Sequence, residues 1–431
     1  MPRHYYIWTI GCQMNKADSV YLAASLEAAG LSAVNCADDA DIIILNSCVV
    51  RQNAEQKVIN KLIALRYYKK KRPEVNIILT GCLAGANQEV LREKFPYVGL
   101  FLKPQDWKIW QQWLEEQGLV PDNSTVVLPA GQHDVTAYVP IIKGCNNFCA
   151  YCIVPYRRGR EESRSPAEIW QQVMGLVSRG VKEVTLLGQN VDSYGHDLST
   201  QTDLADLLAE LQQIDGLSRI RFLTSHPKDM SLKLIDAVAH LDKVCECISL
   251  PMQAGDDDIL KVMRRGYTME QYIKLVEAIR HAIPGVALST DVIVGFPGET
   301  EEHYRNTYRI LEELKFDTVH VAAYSVRQGT MASRLDDNIP QEEKIYRLHQ
   351  VEELQEKIAA EINACMQGKE VEILVEGKVR GKWFGRTRTD KLVFLKSENC
   401  RIGQLINVRI DSTSPWSLQG ILQGLSCTVG E

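Results

Sequence analysis

Cys145, Cys149 and Cys152 stand in the run Gly144-Cys145-Asn146-Asn147-Phe148-Cys149-Ala150-Tyr151-Cys152, a C-x3-C-x2-C spacing that offers three thiolates to a metal site. Iron–sulfur clusters are usually held by four cysteines, so three leave one iron open to a non-protein ligand. An open coordination position is what separates a catalytic metal site from a closed structural one. Structural zinc sites favour C-x2-C pairs with a distant second pair, and no His lies near this triplet. The spacing therefore favours a cluster with an open iron over zinc or a set of free thiols.

A second set of cysteines is visible only once strands are assigned. Tyr5 to Ile10, Ile42 to Leu45 and Ile77 to Leu79 are short, apolar, β-branched runs, each followed by an amphipathic stretch such as Ala17 to Ala29 or Ala54 to Tyr68. Alternation of this kind implies a parallel, doubly wound sheet. Each run ends in a cysteine, in Thr9-Ile10-Gly11-Cys12, Asn46-Ser47-Cys48 and Thr80-Gly81-Cys82. Ligands of open α/β sheets sit beyond the carboxyl ends of the strands, so all three thiols are expected at one rim. They suit a second three-thiolate site, and equally three small buried residues.

The elements that must position the first triplet run from Tyr138 to about Leu335. Val139–Ile142, Glu183–Leu187, Arg219–Leu223, Cys247–Leu250, Leu288–Val294 and Thr318–Tyr324 read as six strands of an incomplete TIM-like barrel. The triplet follows the first of them, at the carboxyl face where barrel chemistry sits. Arg157-Arg158-Gly159-Arg160 places positive charge beside it, suited to a phosphate, a carboxylate or anionic thiolates. Asp291 to Thr300 ends a strand in a Gly-rich turn, for which a tight βα connection is the default reading.

Pro340 to Cys365 reads as a charged helix stopped by Gly368, after which the pattern switches to alternation punctuated by glycines. That marks a small all-β module, expected to be a barrel. Within it, Gly377 to Lys391 carries six basic residues (Lys378, Arg380, Lys382, Arg386, Arg388, Lys391) against Asp390 alone, with Trp383 and Phe384 interleaved. Cations neutralise phosphates and aromatic rings stack unpaired bases, so the segment suits single-stranded or loop RNA. The Lys69-Lys70-Lys71-Arg72 run reads as a solvated helix end.

Composition limits the rest. The chain has 431 residues, enough for two or three domains, with 45% apolar and 24% charged residues and a net charge of −6. That balance argues against wholesale coating of nucleic acid but leaves room for local basic patches. No signal-peptide pattern and no apolar run of bilayer length are present, so a cytoplasmic location without a membrane is expected. Twelve cysteines in a reducing compartment argue for metal chemistry rather than a disulfide framework.

Taken together, these residues resemble the radical S-adenosylmethionine methylthiotransferases over nearly the whole chain. The resemblance implies an N-terminal methylthiotransferase domain over 1–120, a radical SAM partial (β/α)6 barrel over 131–366 and a C-terminal TRAM barrel over 367–431. The triplet with Tyr151 before its last Cys looks like the motif for the radical SAM 4Fe–4S cluster. Cys12, Cys48 and Cys82 match the family's ligands for an auxiliary 4Fe–4S cluster. Gly11-Cys12-Gln13-Met14-Asn15, Asn46-Ser47-Cys48 followed by Arg51, and Leu288 to Thr300 are similar to the branch acting on isopentenylated adenosine beside the tRNA anticodon. Ser249 and Ala254 stand where the family usually has His and Ser, and Gln328 replaces the Pro expected before Gly329-Thr330.

The implied chemistry uses two clusters and S-adenosylmethionine, both as radical source and as methyl donor, to replace C2–H of the adenine with a methylthio group. Carbon C2 is unactivated, so a cofactor must carry the hard step, and the base must leave the anticodon-loop stack. Implied partners are a tRNA anticodon stem-loop, an electron donor such as flavodoxin or ferredoxin, and a sulfur source. Tyr151, Gln189, Asn190, Ser225, Gln253 and Asp291 are the expected cofactor contacts, because each sits at or just past a barrel strand end. Lys378, Arg380, Lys382, Arg386 and Arg388 are the expected RNA contacts. The rival readings are methylthiolation of threonylcarbamoyladenosine or of a ribosomal-protein aspartate, and a non-catalytic iron–sulfur or zinc protein that binds RNA.

Overall fold

A computed structural model describes residues 4–49, 52–86, 88–119, 134–396 and 400–422; Arg51 and Cys427 lie outside the described residues. The first sheet holds β1 (His4–Thr9), β2 (Ser32–Ala33), β3 (Ile42–Ser47), β4 (Asn76–Gly81) and β5 (Leu100–Phe101), all parallel, in the order β2-β1-β3-β4-β5. Every residue of β3 is buried, as a central parallel strand covered on both faces requires. Helices α1 (Gln13–Ala28), α2 (Gln52–Lys71), α3 (Gln88–Lys94) and α4 (Trp107–Glu116) supply that cover. Trp110 of α4 is fully buried and its indole N–H donates to Ser25 Oγ at 2.8 Å. The two short strands β2 and β5 extend the sheet beyond the three strands expected. The basic end of α2 ties the helix to its surroundings: Lys69 Nζ donates to the carbonyls of Pro73 and Val75 in the following turn, and Arg72 to that of Asp38.

The central region forms six parallel strands in two three-stranded sheets. β6 (Thr136–Pro140), β7 (Ile142–Lys143) and α5 (Val154–Arg158) come first, and β7 pairs with β8 (Glu162–Ser163) as a small ribbon. β9 (Glu183–Leu187) and β10 (Arg219–Phe222) join β6 in the order β10-β9-β6. β11 (Cys247–Ser249), β12 (Ala287–Val294) and β13 (Thr318–Ala323) form the second sheet, and a parallel bridge between Ile220 and Val244 connects the two. Helices α6 (Pro166–Val177), α7 (Leu204–Leu211), α8 (Leu232–His240), α9 (Asp257–Met263), α10 (Met269–Ala282) and α11 (Glu301–Leu314) wrap the outside. The result is an open, incomplete (β/α)6 barrel. Its first strand begins three residues earlier than the apolar pattern indicated.

Helix α12 (Gln341–Ala364) leads into a closed five-stranded barrel of β14 (Glu370–Val379), β15 (Lys382–Thr387), β16 (Leu392–Leu395), β17 (Leu405–Thr413) and β18 (Leu418–Leu422). A Cβ at Gly385 would lie 2.1 Å from the Leu374 carbonyl oxygen, so only glycine lets β14 and β15 approach.

Both other domains grip the central barrel. Met14 and Ala17 of α1 pack on Leu187, Tyr138 and Leu223 near the carboxyl ends of β6, β9 and β10. At the opposite end, buried Arg219 and Arg221 donate to the carbonyls of Arg386, Thr387 and Arg388 in the C-terminal barrel. Arg221 Nε also donates to Glu183 Oε1 at 2.9 Å, so the charge is paired before it is covered. No helix among the described residues is long and apolar enough to cross a membrane.

Candidate functional site

Because β1, β3 and β4 are neighbours, with Thr9 opposite Asn46 and Ser47 opposite Gly81, the residues that follow them emerge at one rim. Cys12, Cys48 and Cys82 are those residues, as the strand pattern indicated. The chain closes tightly there: a Cβ at Gly11 (φ +133°) would lie 2.8 Å from Cys48 Cβ. The Asn15 amide donates to the carbonyls of Ile10 (3.0 Å) and Ser47 (2.9 Å), tying the Cys12 loop to the Cys48 strand. Cys48 and Cys82 are buried and Cys12 is exposed.

The other triplet follows β6 and β7. Gly144 has φ +72°, and a Cβ there would stand 1.9 Å from the Arg160 carbonyl oxygen. The loop is held by Cys145 N–H on Gly159 O (3.2 Å), Cys152 N–H on Cys149 O (2.9 Å) and Ala150 N–H on Met263 O (2.9 Å). Burial pushes the Cys145 thiol up to about 11 and the Cys152 thiol up to about 12. A metal that takes these thiols as thiolates must therefore displace their protons.

Each triplet is met by a buried arginine. Arg265, at the end of α9, donates from Nη1 to Cys149 Sγ at 3.3 Å and from Nη2 to the Pro251 carbonyl at 2.9 Å. Arg158, the last residue of α5, reaches out of the barrel to Asn15 Oδ1 (2.7 Å) and Asp18 Oδ2 (3.1 Å). Its charge acts on Cys82 and Cys12, and opposes the rise that burial imposes on the Cys82 thiol. Of the three roles the sequence left open for the Arg157–Arg160 run, Arg158 takes two, pairing with the Asp18 carboxylate and facing the Cys12 and Cys82 thiols. Its Nη1 is buried without a hydrogen-bond partner. A buried donor aimed into a sulfur-lined rim fits an anionic cluster on Cys12, Cys48 and Cys82. Among the described residues, the one trio of metal-ligand atoms within 4.8 Å of one another is Asp256, Asp258 and His303. Neither sulfur triplet is thus drawn as tight as a single zinc ion, with Zn–S near 2.3 Å, would demand. Asp256 caps α9 through the amides of Asp258 and Ile259, which explains that trio without a metal.

The residues expected to touch a cofactor divide into two groups. Tyr151 packs against the barrel core with its hydroxyl 3.5 Å from Arg265 Nη1. Gln189 is half-buried just past β9, and Asp291 half-buried on β12. Gln253 sits in the left-handed region (φ 73°), its N–H donating to Asp291 O and its carbonyl accepting from Ile293 N–H. Asn190 donates to Asp229 Oδ2 at 2.7 Å and leaves its own Oδ1 buried without a partner. Ser225 is buried just past β10 and its hydroxyl is already bonded. Its hydroxyl donates to Asp192 Oδ1 at 2.9 Å, so it holds a neighbouring carboxyl. That carboxyl also accepts from His226 N–H, and burial raises it to about 7. Burial, with Arg265 and Lys228 adding to it, lowers His226 to about 2, and its Nε2 has no partner. Sequence reasoning missed Arg265, Asp192 and His226; for the last two, the signal was their position just past β9 and β10.

Of the departures from the family pattern, Gln328 lines a cavity of about 230 Å³ together with Val49, Ile59, Ile153, Arg157 and Arg327. Val49 follows Cys48 and Ile153 follows Cys152, so a residue next to a cysteine of each triplet lines the cavity. Ser249 gives its carbonyl to Ser225 N–H, and Ala254 is buried in the barrel core. The turn after β12 is closed by its own Glu299, which accepts from Gly295 N–H and pairs with Arg347 at 2.6 Å, in line with a tight connection.

The basic segment of the C-terminal barrel also divides. Lys378 and Arg380 are exposed and Lys382 half-buried around the Arg380-Gly381 turn, where both residues have positive φ (48° and 80°), with Lys378 Nζ 5.3 Å from the Trp383 ring. Arg386 is half-exposed beside Glu376 and Asp390. Arg388 is bonded within the protein: its guanidinium donates to Glu246 (2.7 Å) and to the carbonyls of Asp242 and Val244, joining the C-terminal barrel to the central one. Lys391 does the same through Asp317 at 2.6 Å.

Residues 4–103 match Uncharacterized protein family UPF0004, residues 139–311 the Radical SAM superfamily and residues 365–422 the TRAM domain. The chain is 51% identical to the tRNA-2-methylthio-N(6)-dimethylallyladenosine synthase of Dehalococcoides mccartyi strain CBDB1, over 97% of this chain and 98% of the relative. It is 47% identical to the protein of that name from Herpetosiphon aurantiacus, over 99% of each chain. Among solved structures it resembles the radical S-adenosylmethionine methyltransferase TsrM from Kitasatospora setae, with cobalamin and a [4Fe-4S] cluster bound. That match has a TM-score of 0.59 at 14% identity over 77% of each chain, a likeness of fold.

Proposed function

The chain belongs to the family of tRNA-2-methylthio-N(6)-dimethylallyladenosine synthases, and from that membership we propose that it transfers a methylthio group to C2 of N6-isopentenyladenosine in tRNA. One observation carries the reading to particular residues. Arg158 ends the helix that follows the 145/149/152 triplet, yet it is buried beside Cys82 of the other triplet. One short helix thus links the two three-thiol sites.

Cys145, Cys149 and Cys152 would hold one 4Fe–4S cluster, and Cys12, Cys48 and Cys82 a second. When bound, these groups and S-adenosylmethionine supply the electron, the radical and the methylated sulfur that the reaction needs. The protein's own residues bind, orient and shield. Gly144 and Gly11 let the two cysteine loops close, and Arg265 and Arg158 set positive charge against them. Tyr151, Gln189, Asn190, Gln253 and Asp291 ring the carboxyl ends of the strands where S-adenosylmethionine would lie. Asn190 Oδ1 and His226 Nε2 offer unused polar atoms there, and His226, held neutral with Nδ1 accepting from the Lys228 N–H, presents Nε2–H as an uncharged donor. Ser225 keeps the Asp192 carboxyl in place. The cavity lined by Gln328 would receive the flipped base, with Val49, Ile59 and Ile153 against its dimethylallyl group. Lys378, Arg380, Lys382 and Arg386 would meet the anticodon stem-loop. A flavodoxin or ferredoxin as electron donor, a separate sulfur source and a cytoplasmic location complete the proposal.

The test is nucleoside mass spectrometry of tRNA incubated with anaerobically reconstituted protein, reductant and S-adenosylmethionine. Loss of isopentenyladenosine with gain of its methylthio derivative supports the reading; change confined to threonylcarbamoyladenosine overturns it.

A further inference from the structure

We propose that Arg158 is a positioning residue of the N-terminal sulfur site, supplying the buried counter-charge and a sulfur-directed hydrogen bond to the cluster on Cys12, Cys48 and Cys82. The proposal rests on the reading that this triplet holds a cluster. Three structural features support it independently of that reading's chemistry.

The first is burial without completion. The Arg158 side chain is 2% exposed and Nη2 is satisfied by Asn15 and Asp18, while Nη1 has no oxygen or nitrogen partner. The Cys82 thiol is itself a side-chain hydrogen-bond partner of this guanidinium, so the donor that Asn15 and Asp18 leave over faces a sulfur of the triplet. The second is direction. Nη2 of the same planar group is held by Asn15, whose amide joins the Cys12 loop to the strand that ends in Cys48, so the guanidinium stands at the thiol rim and not in an apolar core. The third is enforced proximity. A Cβ at Gly85, three residues past Cys82, would lie 2.5 Å from the Arg157 carbonyl oxygen, so the backbone of one cysteine loop rests directly on the helix that ends in Arg158. The neighbouring side chain Ile153 is packed into the N-terminal domain's core. The arginine cannot swing away without separating the domains.

Charge balance says what this arrangement does. Asp18 offsets one positive charge, and is itself pushed up by burial. An anionic cluster adds negative charge to a rim that already contains a carboxyl, which is costly unless a cation faces it. Reduction potentials of such clusters follow net charge and hydrogen bonds to their sulfurs. Removing Arg158 should therefore make the N-terminal cluster harder to reduce and easier to lose.

The experiment uses the full-length chain carrying Cys145→Ala, Cys149→Ala and Cys152→Ala, reconstituted anaerobically, so that the N-terminal site alone is loaded. This protein should bind about four iron atoms; if it binds none, the two-cluster reading itself fails, whatever Arg158 does. Onto it are placed Arg158→Gln and Arg158→Lys, with potentiometric titration and electron paramagnetic resonance of the reduced cluster as readouts. The expected result is a more negative potential and an altered signal in Arg158→Gln, partly restored by Lys, which keeps the charge but not the fork. Identical potentials and spectra across the series, at full iron, overturn the proposal. If Arg158→Gln does not fold, Asp18→Asn decides: relieving the guanidinium of its carboxylate should move the potential upward, and an unmoved potential overturns the proposal.

Discussion

Arg265 Nη1 lies 3.3 Å from Cys149 Sγ, and the same guanidinium holds the Pro251 carbonyl and the hydroxyl of Tyr267. A residue just past α9 thus ties the middle cysteine of the triplet to the segment that follows β11. Arg265→Met keeps the bulk of the stem but removes the donors and the charge. In protein loaded with iron only at this triplet, it should make the cluster harder to reduce and shorten its retention under a chelator. Potentiometry and iron release follow both, and a variant indistinguishable from the parent would refute the role.

Gly144 shows how narrowly the triplet loop is built. Alanine there must adopt φ +72° and put a methyl against the Arg160 carbonyl. Strain of that kind costs of order 1–3 kcal/mol where the chain can yield, and here the yielding segment is the ligand loop. Gly144→Ala should bind about four iron atoms instead of about eight, with the N-terminal site intact. Iron and sulfide analysis would detect the loss, and a full complement would show that the loop tolerates the shift.

Asp192 and His226 are neighbours with opposite pH signatures. Asp192 is raised to about 7, so the folded state binds the extra proton between about pH 4 and 7 and stability falls as pH rises through that window. His226 is lowered to about 2, so the unfolded state binds the extra proton below about pH 6.5 and stability falls as pH drops. Over the shared range the two slopes oppose. Asp192→Asn should unmask the His226 slope, about 1.4 kcal/mol per pH unit, seen as a melting temperature that falls between pH 6.5 and 4.5. A variant with the parent's pH dependence would show that Asp192 ionises normally.

The basic residues of the C-terminal barrel should separate experimentally. Replacing Lys378, Arg380 and Lys382 with Gln should weaken tRNA binding and lower the log–log salt slope by about 2, as three lost phosphate contacts would. Arg388→Gln should leave that slope unchanged. It removes charge-assisted bonds to Glu246, each worth roughly 1.5–3 kcal/mol, and should lower the melting temperature. A reversed outcome would exchange their roles.

Much of the site was legible in the chain because it is local. The triplet's spacing, the strand-end cysteines, the six barrel strands and the change to alternation after Gly368 all depend on periodicity and neighbours within a few residues. Cys12, Cys48 and Cys82 lie far apart in sequence, yet strand order alone sends them to one rim. What tertiary structure decided is which charges face which groups. Arg388 and Lys391 read as part of an RNA-binding stripe, and the fold pairs them with Glu246 and Asp317; Ser225 read as a cofactor contact, and the fold bonds its hydroxyl to Asp192. Arg158 could not be assigned at all until the N-terminal domain was laid against the barrel. A charge's role is fixed by its partner, and partners here are often more than a hundred residues away, beyond any spacing rule.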